Sequence, residues 1–106
     1  MRTEVNGINI NYEKTGKGEQ SIVLLHGNGE DHTMFFELSQ LLAKDFTVYA
    51  LDSRGHGESD PVDYLTYDEM AEDVVSFIKK KKIKHPILYG FSDGGILGLL
   101  IAIRHP

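Results

Sequence analysis

Hydrophobic and polar positions change rhythm several times along the chain, and each rhythm predicts an element. "EVNGINI", residues 4–10, sets an Asn-Gly pair between two short apolar–polar alternations. Asn6 and Gly7 tolerate the positive φ of a tight primed turn, so this segment predicts a hairpin. "SIVLLHG", residues 21–27, is continuously apolar and stops at glycine, the pattern of a strand covered on both faces. Met34, Leu38 and Leu41, with Phe35 and Leu42 beside them, return to helical spacing. "FTVYALD", residues 46–52, predicts a second covered strand, and a polar, glycine-rich loop follows from Ser53 to about Thr66.

Thr66 with Glu69 fits a capping box and opens the next helix. Ala71, Val74, Val75 and Ile78 form its apolar stripe; acids lie early and Lys79 to Lys82 late, matching the helix dipole at both ends. The lysine run therefore reads as a solvated helix end rather than a patch for an anionic partner. "PILYG" predicts a third covered strand, and Gly94 to about Arg104, apolar nearly all round, predicts a buried helix. A hairpin followed by alternating strands and helices is an α/β pattern with a mostly parallel sheet, here one domain over residues 1–106. Such sheets bind ligands beyond the carboxyl ends of their strands. Those ends are His26–Gly27, Asp52–Ser53 and Gly90–Phe91–Ser92.

Composition narrows the function classes. The chain has 106 residues, 41% of them hydrophobic, which is enough for one small domain with a real core. A net charge of −5 argues against a nucleic-acid surface. With no cysteine, there is no disulfide framework and no cysteine-based metal site. The longest apolar run, "GGILGLLIAI", falls short of the roughly 18 residues of a membrane helix. "MRTEVNGINI" lacks the apolar stretch of a signal peptide, and a reducing cytoplasm is the expected location.

The chemistry concentrates in "LYGFSDGGILG", residues 88–98. Gly90, Ser92 and Gly94 spell G-x-S-x-G between a strand and a helix, the setting of a nucleophile elbow. So sharp a turn holds the serine in a strained backbone conformation, and side chains two residues before and after it would collide. Gly95 adds another small residue. The Asp93 amide, at the head of the helix, can hold a developing oxyanion. A second donor is expected from the loop after the first covered strand, in "LLHGNGED": Asn28 is the first choice and Gly29 the alternative. In "LDSRGHGESD", Asp52 and Ser59 are expected to bond loop backbone, and His56 to be an ordered loop residue rather than a base.

"LLHGNG", "LDSRGHGES" and "YGFSDGG", in this order and spacing, resemble the α/β-hydrolase superfamily over nearly the whole chain. The resemblance implies a serine hydrolase acting on a carboxylic ester, thioester, lactone or amide, with a Ser–acid–His triad and no cofactor or metal. It makes Ser92 the nucleophile and the Asn28 and Asp93 amides the oxyanion hole. The "FSDGG" elbow resembles esterase and valacyclovir-hydrolase-like members more than classical lipases. In this family the acid and histidine follow the serine. Only 14 residues follow Ser92, and His105 would lie roughly 16 Å away along a helix. His26, at the end of a neighbouring strand, is the one rival base, in a position the family gives to loop structure. The chain is thus expected to be the N-terminal portion of a hydrolase domain. It would need a C-terminal remainder, with further strands, helices and a lid, to complete the site; without it, "PILYG" is expected to be an exposed edge and the helix after Ser92 to lose cover. Two alternatives stay open: a non-catalytic ligand-binding member of the same fold, and cofactor-free, haloperoxidase-like perhydrolysis on the same triad.

Overall fold

The Asn6–Gly7 pair turns the chain as its residue types dictate. Both hold positive φ, 50° and 81°, and strand β1 (Arg2–Val5) returns antiparallel along β2 (Ile8–Thr15) with Val5 opposite Ile8. The structure, a computed structural model, describes residues 1–105. The other strands are β3 (Ser21–Leu25), β4 (Thr47–Leu51) and β5 (Ile87–Gly90). The helices are α1 (Phe36–Leu42), entered through a 3₁₀ turn at His32–Phe35, α2 (Tyr67–Lys80) and α3 (Asp93–Arg104). The strand order is β1-β2-β4-β3-β5. β3 pairs parallel with β4 and with β5, while β2 joins β4 antiparallel. The sheet is therefore mixed: a parallel α/β unit with the hairpin added at one side.

The continuous apolar runs have a simple cause. Side chains alternate across a strand. In β3, Ile22 and Leu24 face one way and pack with Phe35, Val48 and Ala50, with Leu38 and Leu42 of α1 against them. Val23 and Leu25 face the other way and join Tyr49, Leu51, Val74, Phe77, Leu97 and Ile101 beneath α2 and α3. Both faces of β3 and β4 are covered, so neither face tolerates polar residues. Phe77 anchors the second layer edge-on to Tyr12, with ring centroids 4.9 Å apart. At the start of α2, the Thr66 hydroxyl accepts from the Glu69 amide at 3.1 Å, as the capping pattern predicts.

One expectation changes. The stripe Met34–Leu38–Leu41 is not the buried face of α1. Met34 and Leu41 are exposed, while Phe35 and Ser39 are buried and Leu38 and Leu42 partly so. The 3₁₀ turn winds three residues per turn, so one 3.6-residue template laid from residue 34 to 42 arrives out of phase. β5 is the exposed edge strand expected without a remainder: Ile87 and Tyr89 are 43% and 45% exposed. Helix α3 is buried along Gly94, Leu97 and Ile101 but exposes Leu99 and Ile103. β5 is last in the sheet, and nothing among the described residues covers its outer side. No helix of the described residues is long and apolar enough to cross a membrane.

Candidate active site

Parallel strands bring three loops to one edge. Leu25 is in register with Leu51 and with Gly90, so the residues after each of them emerge side by side. The Phe91 amide extends the β3–β5 ladder by one bond, to the Leu25 carbonyl at 3.0 Å. The chain then reverses at Ser92, whose φ of 56° and ψ of −115° are unusual for a residue with a Cβ. Positive φ in a non-glycine residue costs on the order of 1–3 kcal/mol and persists only where its surroundings impose it. They do so here through close backbone approach. A methyl group on Gly90 would collide with the carbonyl of Gly94, and one on Gly94 with the carbonyl of Leu25. Gly95 is looser: its added methyl would meet the Gly90 carbonyl at an ordinary 3.5 Å.

Ser92 is the N-cap of α3, yet its side chain makes no capping bond. A serine there ordinarily accepts from an amide of the first turn. Instead its carbonyl takes the Gly95 and Ile96 amides at 2.9 and 3.3 Å, fixing the start of the helix. The hydroxyl is bonded to no group among the described residues, and the residue is exposed. The Asp93 amide, first of the helix, also has no acceptor among them.

The loop after β3 runs hard against this turn. A methyl on Gly27 would stand 3.2 Å from Ser92 Cβ and 3.3 Å from the Phe91 carbonyl. Asn28 follows, exposed, with no acceptor for its amide among the described residues. The Gly29 amide is different: it donates to His56 Nε2 at 3.1 Å. Of the two amides considered from sequence, that of Gly29 is engaged and that of Asn28 is not.

The histidines are held away from Ser92. His26 is 2% exposed, its Nδ1 2.7 Å from the Gly27 carbonyl and its Nε2 accepting from the Ser53 amide at 3.0 Å. Burial, helped by His56, holds its pKa below the ordinary 6.5 despite the Gly27 carbonyl and the carboxylates of Asp52 and Asp31. His56 Nδ1 lies 3.0 Å from the Arg54 carbonyl. His32 is bound through Nδ1 to Asp52 at 2.8 Å, and His105, beyond the far end of α3, lies 3.4 Å from Glu72. No imidazole among the described residues is hydrogen-bonded to Ser92.

Asp52 is fully buried and organises the edge. Burial raises its pKa, but the Glu58 amide, the Asn11 side chain and the amide and ring of His32 outweigh that and hold it below 3.8. Ser59 joins the same knot: its hydroxyl donates to the Asp52 carbonyl at 2.7 Å and accepts from the Asn11 amide at 2.8 Å. Asp31, His32 and Asp52 gather ligand-type atoms within 4.8 Å. Both Asp52 carboxylate oxygens and Asp31 Oδ1 already accept hydrogen bonds, so these atoms serve as a structural knot.

Beside Ser92 opens a cleft of about 470 Å³ lined by Asn28, Leu65, Thr66, Tyr67, Met70 and Asp93. The Tyr67 hydroxyl donates to the Asp93 carboxylate at 3.2 Å. Neither Tyr67 nor Leu65 stands out in the sequence: Tyr67 sits 26 residues from Asp93, and only the docking of α2 brings them together.

Parallel strands ending in a glycine-flanked serine turn, beside a glycine-bearing loop, are the architecture of the α/β hydrolases. The family profile described as "alpha/beta hydrolase fold" matches residues 20–106, and the chain belongs to that family. It is 39% identical over 111 residues to a serine hydrolase of Homo sapiens, BPHL, covering 99% of this chain and 38% of that protein. The enol-lactonase of Burkholderia xenovorans LB400 superposes with a TM-score of 0.94 at 31% identity, over 99% of this chain and 42% of that one. Est816, an N-acyl homoserine lactone degrading enzyme, superposes with a TM-score of 0.93 at 29% identity, over 100% and 41%. The chain thus spans about two fifths of the length of these relatives.

Proposed function

We propose that this chain carries the nucleophile and oxyanion hole of a serine hydrolase acting on small carboxylic esters, thioesters, lactones or amides. One observation carries the reading: Ser92 sits at positive φ on a helix N-terminus with its hydroxyl unengaged, next to an unengaged Asp93 amide. A serine placed for structure would cap the helix. This one is held in strain and turned away from that task. Ser92 Oγ attacks the acyl carbon while a base takes its proton. The Asn28 and Asp93 amides hold the oxyanion. The alkoxide or amine then leaves with that proton, and water releases the acid from the acyl-serine by the same steps in reverse. The reaction balances with water as its only co-reactant. The lactone-directed relatives support the carbonyl substrate class, and the cleft beside Asn28 and Asp93 supports a small substrate.

The base and its acid are proposed to come from sequence beyond residue 106, this chain being the N-terminal portion of the domain. Each histidine of the described residues other than the exposed His85 has a ring nitrogen bonded elsewhere, and none is bonded to Ser92. A serine hydroxyl without a base is a poor nucleophile at pH 7. Hydrolysis of p-nitrophenyl acetate tests both parts. The isolated chain should run near background. The chain joined by its C-terminal remainder should turn over with a burst of p-nitrophenol, lost in Ser92→Ala. A remainder-completed protein whose Ser92→Ala form keeps the rate would contradict the assignment.

A further inference from the structure

Two loops at the active edge are tied by a reciprocal pair of histidine bonds. His26, in the loop after β3, accepts the amide of Ser53 in the loop after β4, at 3.0 Å. His56, in the loop after β4, accepts the amide of Gly29 in the loop after β3, at 3.1 Å. The two rings lie 5.0 Å apart, tilted by 48°. A backbone amide can only donate, so both Nε2 atoms must offer lone pairs. A carbonyl can only accept, so Nδ1 of His26 carries a proton for Gly27 and Nδ1 of His56 one for Arg54. Four backbone partners thus fix both rings in one neutral tautomer.

We propose that His56 is a positioning residue for the oxyanion hole, holding the Asn28 amide in place through its bond to Gly29. The proposal rests on the serine-hydrolase reading of Ser92. Asn28 and Gly29 are exposed, and nothing lies within 4 Å of where a Gly29 side chain would begin. Packing therefore does not hold this stretch. Its near end is wedged at Gly27 against Ser92, a turn bond from the Glu30 amide to the Gly27 carbonyl spans it at 3.2 Å, and the one bond made by its own two amides is that of Gly29 to His56. That bond has a rigid footing. His56 is buried and held by the Arg54 carbonyl, and the Arg54 guanidinium grips Asp73 of α2 through two bonds of 2.7 and 3.0 Å. A path of fixed groups runs from α2 through Arg54, His56 and Gly29 to Asn28. An oxyanion donor matters only when charge develops, so loosening it lowers kcat and leaves KM nearly unchanged.

The test compares His56→Leu, which has no acceptor, with His56→Gln, whose Oε1 can take the Gly29 amide. The readout is the rate constant for fluorophosphonate reaction at Ser92 in the triad-complete protein, normalised to the fraction that reacts. Outright loss of an oxyanion donor costs about 10²–10³-fold, so a loosened one should cost His56→Leu on the order of 10- to 100-fold. The reactive fraction should be unchanged, and His56→Gln should return to within a few-fold of the parent. A merely destabilised protein would lose reactive fraction, not rate constant. A parent-like rate in His56→Leu, or a His56→Gln as slow as His56→Leu, would overturn the proposal while leaving Ser92 as the nucleophile. A parent protein that does not react at Ser92 would overturn the hydrolase reading and this inference with it. Should His56→Leu not fold, long-range proton–nitrogen correlation in ¹⁵N-histidine-labelled parent protein decides. A proton on Nδ1 of His56, with the Gly29 amide coupled to Nε2, is the expected result; a proton on Nε2 overturns the proposal.

Discussion

β4 and β5 read alike in the sequence, each a short apolar run closing at the active edge, yet they live in opposite surroundings. All five residues of β4 are buried, and none of the four residues of β5 is. β4 lies between β2 and β3 with α1 on one face and α2 on the other; β5 has β3 on one side and, among the described residues, no strand on the other. Helix α3 repeats the contrast within one element, burying Leu97 and exposing Leu99 and Ile103. An apolar run records the environment a strand is selected to sit in. In a chain that spans 38% of a close relative, the apolar outer side of β5 and α3 marks where further chain is proposed to pack. The candidate site lies on the seam. The loop proposed to hold the oxyanion belongs to the fully built side, and Ser92 to the uncovered one.

The contrast can be broken most sharply at the seam. Gly94→Val would drive a branched side chain into the Leu25 carbonyl, and no flexible group stands there to yield. A loss of about 3 kcal/mol or more is expected, at the severe end for a single substitution, with failure of Ser92 to react. Urea unfolding checks it; a stable and reactive Gly94→Val protein would mean the turn is not an elbow. Next comes the strand comparison itself. Leu51→Ala, at a buried site on β4, should cost about 2–5 kcal/mol. Ile87→Ala, on the open strand, should cost about 0.5 kcal/mol in the isolated chain and several times that once the remainder is present. Equal costs in the isolated chain would erase the distinction drawn between the two strands.

The built side should also fail first in mild acid. The unfolded chain protonates His26 near 6.5, whereas the folded one resists until a lower pH because the ring is buried. Below 6.5 unfolding therefore takes up a proton, and stability falls as pH falls toward the folded value; above 6.5 this group contributes no slope. Asp52, held below 3.8, adds a second loss only at still lower pH. Urea midpoints at pH 7.5 and 5.5 should differ in this direction, and His26→Gln should flatten the difference. A midpoint that rises on acidification would contradict the buried, neutral ring. The smallest expected effect is on the open face. Ile103→Lys should shift stability of the isolated chain by no more than about 0.5 kcal/mol while reducing self-association seen by light scattering.

Much of this was legible in the residues. Asn6–Gly7 announced the hairpin, and the doubly covered strands announced themselves because Ile22 and Leu24 feed one layer while Val23 and Leu25 feed the other. Gly90 and Gly94 announced the tight turn at Ser92, because only backbone fits beside them. The phase of α1 was not legible, since a 3₁₀ turn leaves no mark in hydrophobic spacing. Nor was the engagement of the Gly29 amide, which depends on a histidine 27 residues away. The Tyr67–Asp93 bond and the His32–Asp52 bond are likewise products of packing between distant segments.

The account turns on Ser92, and intact-protein and peptide mass spectrometry after fluorophosphonate treatment tests it most directly. The triad-complete protein should gain one adduct, mapped to the peptide containing Ser92 and absent from Ser92→Ala. An adduct on any other residue, or one that persists in Ser92→Ala, would contradict it.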